Sequence, residues 1–569
     1  MNWKSNPKVN NDRVLSLEKE IGVPKIIANL LTIRGIKDFE TAKYFFRPSL
    51  DKLHDPFLMK DMDLAVSRIN KAKELEETIM IYGDYDVDGT TSVSLLYSFL
   101  SKFFNNVIPY MPDRYKEGYG VSIQGINIAH KKGVSLIVTL DCGINALEQV
   151  DYAKERGVDF IICDHHLPSS DIPNAIAVLD PKRNDCSYPF KDLCGCGIGF
   201  KLAQALSLKW SIPIKEIIEY LDLVAIAIIS DIVPVIDENR ILCFHGIREL
   251  EKNNRPGLKP LINTLIKPIK TSDIAFKIGP RINAAGRINH SIQAFKLIIS
   301  KNYNDAEKQY KIINQFNSDR RVIDQATTKE AITQIKELGE ENLNTSVVYK
   351  KDWHKGVIGI VASRLIETFY RPTVVFTSSG NNFVGSVRSI KDLDIYKVLE
   401  SCKENIIQFG GHKYAAGLTI EASKYKDFKN SFESAVQKEI RAEQKHLTLN
   451  YDLEIDFKDI SPKLIRIIFQ MSPFGPKNMK PLFRTSGCFE SGKSKVVGKN
   501  NQHLKLKVKD KTNKIISAIA YDKGEVLDKI KTGNGFDILY TIEENNWDGK
   551  KSIQLNIKDF YLNKNPIYN

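Results

Sequence analysis

Thr78-Ile79-Met80-Ile81-Tyr82, followed at once by Gly83-Asp84-Tyr85-Asp86-Val87-Asp88-Gly89, is the stretch of sequence that decides the fold. A short apolar run that ends in polar residues and glycines is typical of a buried β-strand. Two more such runs follow, at residues 134–140 and 158–163, and helix-patterned segments such as residues 146–156 separate them. Strands that alternate with helices predict a parallel α/β sheet.

Acidic residues and histidines follow each predicted strand. The first strand is followed by the three carboxylates quoted above, the second by Asp141-Cys142-Gly143 and the third by Asp164-His165-His166. A further candidate, Asp231, follows the apolar segment 221–229 and precedes Ile232-Val233-Pro234. In an open α/β sheet, ligands bind beyond the carboxyl ends of the strands, so we expect these clusters to converge on one crevice.

A divalent-cation site explains these residues better than helix capping does. A single Asp after a strand is usually a cap or a turn former, and this would account for Asp141 or Asp231 taken alone. Three carboxylates at alternate positions repel one another, and capping needs only one of them. Two adjacent buried histidines would need hydrogen-bond partners for both nitrogens of each ring. Carboxylates with an imidazole suit Mn²⁺ or Mg²⁺, and the imidazole favours Mn²⁺.

The composition sets the broad class of protein. At 569 residues the chain is long enough for three or more domains. A formal charge of +13 suits a polyanionic partner such as a nucleic acid, although a solvated lysine-rich surface would give the same charge. No apolar run is long enough to cross a bilayer, no secretory signal is recognisable, and the eight cysteines include no Cys-x-x-Cys pair. We therefore expect a soluble, cytoplasmic protein with reduced thiols and no membrane partner.

A second region with phosphate-binding features follows a long helix. Residues 303–338 predict this connecting helix, because their apolar positions have helical spacing. Beyond it, Gly385-Ser386-Val387-Arg388-Ser389 and the glycine-rich segment that begins at Gly410 combine exposed backbone N–H groups with a guanidinium. Such groups bind phosphate, and glycines that only form turns are the alternative. His412, which follows two glycines, is a further candidate phosphate donor.

The last region is rich in strand patterns. His503-Leu504-Lys505-Leu506-Lys507-Val508-Lys509 alternates apolar and basic residues, which predicts a strand with one buried and one positive face. Later runs at residues 515–521, 536–542 and 553–557 complete the number of short strands expected of an OB-fold, a β-barrel that binds single strands in a basic groove. Aromatic residues that are candidates for stacking on bases, with a core position as the alternative for each, are Tyr521, Tyr540 and Trp547.

These motifs resemble the DHH phosphoesterase superfamily, which is named for the triplet that stands here as Asp164-His165-His166, and within it the RecJ family. The stretches that resemble RecJ are Asp84-Tyr85-Asp86-Val87-Asp88-Gly89, Met111-Pro112-Asp113-Arg114, Glu117-Gly118-Tyr119-Gly120 and Gly279-Pro280-Arg281-Ile282-Asn283-Ala284-Ala285-Gly286-Arg287. The stretches that resemble the DHH-associated domain are His354-Lys355-Gly356-Val357-Ile358-Gly359, Gly385-Ser386-Val387-Arg388-Ser389 and Gly410-Gly411-His412-Lys413-Tyr414-Ala415-Ala416-Gly417. The resemblance covers nearly the whole chain.

The resemblance implies a multidomain α/β architecture with a parallel-sheet DHH domain, a long connecting helix, an α/β DHH-associated domain and a C-terminal β-barrel. The implied parts are an N-terminal extension (residues 1–62), a DHH catalytic domain (63–300), the connecting helix (301–345), a DHH-associated domain (346–446) and an OB-fold domain that binds nucleic acid (447–569).

The family pattern, carried over residue by residue, implies two divalent cations. The implied ligands of the first are Asp86 and Asp141. The implied ligands of the second are Asp88, Asp141, His165 and Asp231, so Asp141 bridges the pair. Two cations held close together can activate a water molecule and stabilise the leaving oxygen. The resemblance also places His166 beside the scissile phosphate and makes Asp84 a ligand or an orienting group for its neighbours.

The chain departs from many DHH enzymes at Tyr82, where those enzymes carry a histidine four residues before the counterpart of Asp86. A neutral tyrosine is a poor metal ligand. We therefore expect a more open first metal site, in which Asp84 or water completes the set of ligands.

The resemblance implies a 5′ to 3′ exonuclease that is specific for single-stranded DNA, releases 5′-mononucleotides and works in DNA recombination and repair. The implied partners are single-stranded DNA, a single-strand-binding protein and a repair helicase. The terminal phosphate would be gripped by Arg114 together with Ser386 and Arg388. The implied catalytic residues are Asp86, Asp88, Asp141, His165, His166 and Asp231. The residues implied to bind the strand are Arg114, Tyr119, Arg281, Asn283, Arg287, His354, Ser386, Arg388 and His412.

Two other functions compete with this one. A DHH phosphodiesterase for short oligonucleotides or cyclic dinucleotides would share both catalytic regions, but such enzymes generally lack a region like residues 447–569. A catalytically silent scaffold that binds single strands would not need the complete set of carboxylates together with His165.

Overall fold

The computed structural model describes residues 2–7, 9–547 and 550–562, and only the backbone of residues 546, 547 and 550. The chain divides into two compact units. Leu53–Leu447 forms one unit, and the segments on either side of it in sequence form the other. None of the described helices combines the length and the apolar character that crossing a membrane requires.

The first described elements belong to the second of these units. They are β1 (Asn2–Ser5), α1 (Asn11–Ile21), α2 (Lys25–Ile33) and α3 (Phe39–Phe46). Helix α1 begins where the Asn10 side chain accepts hydrogen bonds from two backbone N–H groups, and it ends at Gly22 in the left-handed conformation.

The parallel α/β sheet predicted for the first region is confirmed. Its strands are β2 (Thr78–Gly83), β3 (Val107–Tyr110), β4 (Val134–Leu140), β5 (Asp159–Cys163) and β6 (Ala177–Leu179). All are parallel, in the order β3-β2-β4-β5-β6. Helices cover both faces, which is why nearly every residue of β2 and β4 is buried and the strands have continuous apolar runs.

The helices of this region complete the layers on the sheet. They are α4 (Met62–Glu74), α5 (Val87–Leu100), α6 (Ile123–Lys131), α7 (Leu147–Lys154), α8 (Gly195–Lys209), α9 (Leu221–Ser230), α10 (Asp237–Lys252), α11 (Lys259–Ile262), α12 (Thr271–Asp273), α13 (Gly279–Ile288) and α14 (Ile292–Ile298). The apolar segment before Asp231 is therefore the buried helix α9, and Asp231 is its C-terminal capping residue.

The predicted connecting helix is confirmed as α15 (Tyr303–Glu337), which is 35 residues long. It begins where the Asn302 side chain accepts a hydrogen bond from the backbone N–H of Asp305. Along its buried side lies Asp324, whose carboxylate is 2.8 Å from guanidinium nitrogens of both Arg320 and Arg364. This pairing satisfies the buried charge of Asp324.

The second α/β region contains a mixed sheet. Its elements are β7 (Ser346–Tyr349), α16 (Ile358–Phe369), β8 (Thr373–Ser379), β9 (Asn382–Arg388), α17 (Ile395–Glu400), β10 (Gln408–His412), β11 (Ala415–Glu421) and α18 (Tyr425–Glu439). The strand order is β10-β11-β9-β8-β7, and only the β7–β8 pair is parallel. Phe376, Phe428 and Phe432 lie at the centre of the core between this sheet and its helices.

The strand-rich C-terminal region is also confirmed. Its elements are β12 (Thr448–Tyr451), β13 (Leu453–Glu454), α19 (Pro462–Gln470), β14 (Phe483–Glu490), β15 (Lys495–Val497), β16 (His503–Lys509), β17 (Ile515–Ala520), α20 (Leu527–Ile530), β18 (Phe536–Trp547) and β19 (Lys550–Leu562). The sheet has the order β13-β14-β18-β19-β17-β16-β15, and β14 also pairs with β16.

Strand β16 shows the predicted division into two faces. Leu504, Leu506 and Val508 are buried, whereas Lys505 and Lys507 are exposed. The last two strands are longer than predicted, with 12 and 13 residues, because antiparallel backbone pairing continues past the apolar part of the pattern.

The three aromatic candidates for base stacking have different outcomes. Tyr521 is 55% exposed. Tyr540 is fully buried and its hydroxyl lies 2.9 Å from Thr485 Oγ1, so Tyr540 is a core residue. The side chain of Trp547 lies outside those that the structure describes.

Residues at the two ends of the chain share one core. Leu17 and Leu31 of the N-terminal helices belong to the same buried cluster as Phe483 and Leu506. Strand β1 pairs in parallel with β12. Residues 1–52 therefore form part of the unit that contains the C-terminal sheet.

Candidate active site

The strand ends of the first region bring the predicted carboxylates together. Asp86 caps α5, its side chain accepting a hydrogen bond from the backbone N–H of Gly89 at 3.1 Å, and Asp88 lies in the first turn of that helix. A side chain at Gly89 would collide with the backbone of Asp84, which explains the glycine. Asp141 follows β4 with a φ of 61°, a conformation that aspartate tolerates better than most residues.

His165 points its imidazole into the middle of the carboxylates. Its Nε2 atom lies 3.0 Å from Asp141 Oδ1, 3.7 Å from Asp231 Oδ2 and 3.8 Å from Asp88 Oδ2. Burial, together with the positive charge of the neighbouring His166, lowers the pKa of His165 to about 3. The imidazole is therefore neutral, the form that ligates metals.

Among the described residues, three groups of ligand atoms have the compactness that a metal ion requires. One joins Asp141, His165 and His166, and the remaining two contain the predicted ligands of the two cations. In the first of these two, oxygens of Asp84, Asp86 and Asp141 lie within 4.8 Å of one another. In the other, the same limit holds for atoms of Asp88, His165 and Asp231. Asp141 belongs to the first group and its Oδ1 contacts His165 of the second, so Asp141 stands between them.

The electrostatics of the carboxylate cluster favour a bound cation. Burial, followed by repulsion from Asp86, raises the pKa of Asp88 to about 7. Burial and the neighbouring carboxylates also raise the pKa of Asp84, Asp141 and Asp231 well above the ordinary value for aspartate. In addition, Asp84 Oδ1 is buried without a hydrogen-bond partner among the described residues. A carboxylate and imidazole donor set of this kind fits Mn²⁺ or Mg²⁺.

The N-terminus of α8 holds one of the carboxylates in place, a feature that the sequence analysis missed. Asp88 accepts hydrogen bonds from the backbone N–H groups of Gly195 at 2.6 Å and Cys196 at 2.7 Å. A Cβ at Gly195 would lie 2.6 Å from Asp141 Cβ, so only glycine allows this approach. The signal was present in the alternation of Gly195, Gly197 and Gly199 at the start of a helix, a pattern suited to binding anions.

His166 is oriented by Asp164. Its Nδ1 atom lies 2.7 Å from Asp164 Oδ1, and Asp164 Oδ2 accepts a hydrogen bond from the backbone N–H of Ile144. Burial would lower the pKa of His166, but the hydrogen bond and the charge of Asp164 raise it to about 9. The ring of His412 stacks on His166 at a centroid distance of 5.9 Å, and the Tyr119 hydroxyl is 3.1 Å from His166 Nε2. The structure thus brings the predicted catalytic residue His166 together with two predicted strand-binding residues, Tyr119 and His412.

Tyr82 is fully buried in the core. Its hydroxyl donates a hydrogen bond to the carbonyl of Gly120 at 2.9 Å and accepts one from the backbone N–H of Ser122 at 3.1 Å. Asp84, in contrast, is a member of the first ligand group.

A second cluster is made of arginines. The guanidinium of Arg114 lies 4.6 Å from the ring centre of Tyr85. Arg388 donates hydrogen bonds to Ser386 Oγ at 3.1 Å and to the Val387 carbonyl, and Arg287 donates to the Gly356 carbonyl. The charges of Arg114 and Arg388 both act on Arg287, and guanidiniums gathered in this way suit an anion.

The positive charges in this arginine cluster repel one another. Burial, followed by the charges of Arg114, Arg388 and Arg320, lowers the pKa of Arg287 to about 9. Burial and the charge of Arg114 also lower the pKa of Arg388. Among the described residues, no carboxylate lies within ion-pair distance of Arg114, Arg287 or Arg388. The alternative that Arg388 pairs with an acidic side chain therefore has no support in the structure.

The remaining predicted strand-binding residues are His354, Arg281 and Asn283. His354 has its ring 6.0 Å from that of Tyr115, and burial lowers its pKa. Arg281 donates hydrogen bonds to Asn314 on α15 and to the Lys277 carbonyl, and the structure brings it into contact with neither cluster. Asn283 is a half-buried residue of α13.

Comparison with known proteins identifies each region. The DHH family N-terminal domain matches residues 78–228, the DHHA1 domain matches residues 342–438 and the RecJ OB domain matches residues 451–559.

Two curated relatives align over nearly the whole chain. The single-stranded-DNA-specific exonuclease RecJ of Bacillus subtilis (strain 168) is 36% identical over 564 residues, which cover 98% of this chain and 70% of that protein. The protein of the same name from Escherichia coli (strain K12) is 30% identical over 574 residues, covering 97% of this chain and 98% of that protein.

Two solved structures also resemble the chain. RecJ from Thermus thermophilus in complex with Mn²⁺ matches with a TM-score of 0.84 and 24% identity over 99% of this chain and 80% of that chain, which is a likeness of fold. A structure of exonuclease RecJ bound to manganese matches with a TM-score of 0.59 and 29% identity over 67% of this chain and 95% of that chain. The multidomain α/β architecture expected from the sequence is confirmed by these matches.

Proposed function

The chain belongs to the RecJ family, and from this premise we propose that it is an exonuclease that degrades single-stranded DNA from the 5′ end and releases 5′-mononucleotides. The curated relatives at 30–36% identity carry the name single-stranded-DNA-specific exonuclease. The observation that carries the proposal is the pair of metal-ligand groups joined through Asp141. Such a pair suits the hydrolysis of a phosphodiester bond.

Two divalent cations are assigned to the carboxylate cluster. Asp84, Asp86 and Asp141 would hold one cation, and the ligands of the other would be Asp88, Asp141, His165 and Asp231. We choose Mn²⁺ as the preferred ion because of the imidazole ligand, with Mg²⁺ as a substitute, and two solved relatives contain these ions. When bound, the ions supply an activated water molecule and neutralise charge on the attacked phosphate and the leaving oxygen.

The protein's own groups orient the reacting phosphate. His166, which Asp164 keeps protonated, is placed to donate a hydrogen bond to a non-bridging oxygen of the scissile phosphate. His412 stacks on the His166 ring and offers a second donor to the same strand. The N–H groups at the start of α8 fix the orientation of Asp88 and oppose the rise in its pKa that burial and Asp86 cause.

The arginine cluster gives the enzyme its polarity. Arg114, Arg287 and Arg388, with Ser386, would together hold the terminal phosphate, because their positive charges repel one another unless an anion is present. A terminal phosphate monoester carries more charge and more free oxygens than an internal diester, so this pocket favours a 5′-phosphate. A strand held by its 5′ end would present the next phosphodiester to the carboxylate cluster.

The C-terminal sheet adds affinity for long strands. The exposed lysines of β16 would neutralise phosphates, and exposed Tyr521 offers a ring for stacking. We also propose that the enzyme works in the cytoplasm in DNA recombination and repair. There, a helicase would supply unpaired DNA and a single-strand-binding protein would share the strand.

The test is an end-labelled single strand of several tens of nucleotides in Mn²⁺, with a blunt duplex as the comparison. We expect mononucleotides from the single strand, very little product from the duplex, and no product with Asp141→Ala. Asp151→Ala, on the exposed face of α7, is the matched control and should keep full activity.

Each alternative function has its own signature in this assay. Cleavage of dinucleotides alone would identify a phosphodiesterase for short oligonucleotides, and binding without product would identify a scaffold. Titration calorimetry should count two Mn²⁺ per chain and fewer in Asp141→Ala. Full activity of that variant in saturating Mn²⁺ would refute the assignment of two metals.

A further inference from the structure

One loop connects the two halves of the proposed site. Residues 113–120 lie between β3 and α6. Near the start of the loop, Arg114 belongs to the arginine cluster, and near its end the Tyr119 hydroxyl is 3.1 Å from His166 Nε2. The geometry of this loop therefore determines the distance between the group that binds the 5′-phosphate and the group that touches the scissile phosphate.

The end of the loop needs anchors, because it contains two glycines in open surroundings. Gly118 and Gly120 have φ angles of 86° and 84°, and no atom lies within 4 Å of the position that a Cβ would take at either residue. Glycines in open surroundings leave many conformations accessible. Side-chain contacts must select the one that is observed.

Glu117 provides the first anchor. Its Oε1 atom accepts a hydrogen bond from the backbone N–H of Asp113 at 2.8 Å. Its Oε2 atom accepts from the Tyr110 hydroxyl at 2.8 Å and from Ser122 Oγ at 2.5 Å. No basic side chain lies within ion-pair distance of Glu117 among the described residues, so this carboxylate ties the loop to β3 and to α6 through hydrogen bonds alone.

Tyr82 provides the second anchor at the position where many DHH enzymes carry a histidine. Its ring is fully buried in β2, and its hydroxyl bonds to the Gly120 carbonyl and to the backbone N–H of Ser122. Since Ser122 also bonds to Glu117, the two anchors meet at one residue. The phenol is thus long enough to reach the end of the loop from the core of the sheet.

We propose that Glu117 and Tyr82 are positioning residues that hold residues 113–120 in the conformation in which Arg114 meets the 5′-phosphate while Tyr119 contacts His166. The preference for a phosphorylated end is then set by this pair as well as by the arginines themselves. The inference rests on the end recognition proposed above and goes beyond it, because neither anchor touches the strand.

The test measures kcat/KM on single strands with a 5′-phosphate and with a 5′-hydroxyl. Glu117→Ala leaves three donors without their acceptor, and we expect it to reduce the ratio of the two values by about tenfold, equal to about 1.4 kcal/mol. Glu117→Gln keeps the length and one acceptor oxygen, and should recover part of the ratio. Glu155→Gln, an exposed residue at the end of α7, is the matched control and should leave the ratio unchanged.

Tyr82→Phe keeps the ring in the core and removes only the hydroxyl, so it separates positioning from folding. It should lower the same ratio, and the effects of Tyr82→Phe and Glu117→Gln should be non-additive because both act through Ser122. The Mn²⁺ concentration for half-maximal activity should be unchanged in Tyr82→Phe, since the hydroxyl bonds to the Gly120 carbonyl and to the backbone N–H of Ser122.

Hydrogen exchange gives a readout that does not depend on turnover. The amides of residues 117, 118 and 122, which are bonded in the native loop, should exchange faster in Glu117→Ala. Loss of protection with an unchanged phosphate ratio would refute the inference and leave Glu117 with a purely structural role. A wild-type enzyme with no preference for a 5′-phosphate would instead refute the end recognition on which the inference rests.

Discussion

Replacing Arg388 with alanine tests the 5′-phosphate pocket most directly. Arg388 lies on β9 and keeps its guanidinium in place by donating to Ser386 Oγ and to the Val387 carbonyl. Gly359 makes room for it, because a Cβ there would lie 3.0 Å from the guanidinium. The variant therefore removes a well-positioned charged donor and leaves the surrounding backbone unchanged.

The size of the effect follows from two opposing contributions. A hydrogen bond to a charged group contributes about 1.5–3 kcal/mol. Removing one of the guanidiniums also relieves repulsion on buried Arg287, which regains part of its own binding strength. We therefore expect a net loss of about 1.5–2.5 kcal/mol in binding the transition state, or about 10- to 70-fold in kcat/KM, on 5′-phosphorylated strands.

Two substrates that differ only at the 5′ end make the assay specific. Strands with a 5′-hydroxyl should lose less than about threefold, because they place no monoester in the pocket. Arg388→Lys keeps the charge but not the planar pair of donors, so it should recover only part of the loss. Arg156→Ala, at the end of α7, is the control for the loss of an arginine. Equal losses on both strands would refute the pocket and place Arg388 at the scissile phosphate.

Three further predictions address the metals, the helix that supports them and the strand-binding face. Asp141→Asn should raise the Tm in EDTA by about 2 °C or more, because it removes a carboxylate from a buried group of like charges. It should also reduce the increase in Tm on adding Mn²⁺, and an unchanged increase, measured by calorimetry, would contradict this prediction. Gly195→Ala should lower kcat by about 100-fold, because its Cβ would collide with Asp141, whereas Gly197→Ala, with its nearest atom at 3.4 Å, should be nearly silent in the same kinetic assay. Lys505→Ala and Lys507→Ala should each reduce the slope of log affinity against log salt concentration by about one, measured by fluorescence anisotropy on long strands. Neither variant should change the cleavage of short oligonucleotides. An unaffected slope would show that β16 does not contact the strand.

The sequence predicts the parts of the fold that local patterns determine. The apolar run before Asp84 gave strand β2 to within one residue, and residues 134–140 match β4. Helix α15 was equally predictable, since its apolar positions keep helical spacing over its whole length. Because parallel strands end at one edge of a sheet, the convergence of Asp141 and His165 also followed from the pattern alone.

Contacts between distant segments were not predictable in the same way. The pairing of β1 with β12 joins segments at opposite ends of the chain, and no local pattern in residues 2–5 indicates a partner more than four hundred residues away. The bond from the Gly195 N–H to Asp88 is similar, because it depends on how α8 meets α5. Tyr82 is the clearest case, since the pattern placed it on a strand but gave no indication of what its hydroxyl would bind.

The protein buries like charges together in two places, negative charges in one and positive charges in the other. The carboxylate cluster around Asp141 gathers buried negative charges, which raises the pKa of its members. The arginine cluster around Arg287 gathers buried positive charges, which lowers its pKa. Pairing the clusters directly would neutralise both, yet no ion pair joins them among the described residues, and the loop that carries Arg114 and Tyr119 reaches both. On the proposed function, a strand end with its metal ions would satisfy both clusters at once, because phosphate would bind the arginines and the cations would bind the carboxylates. The repulsion within each cluster of the free protein would then be relieved when a substrate binds that carries a 5′-phosphate next to a phosphodiester bond.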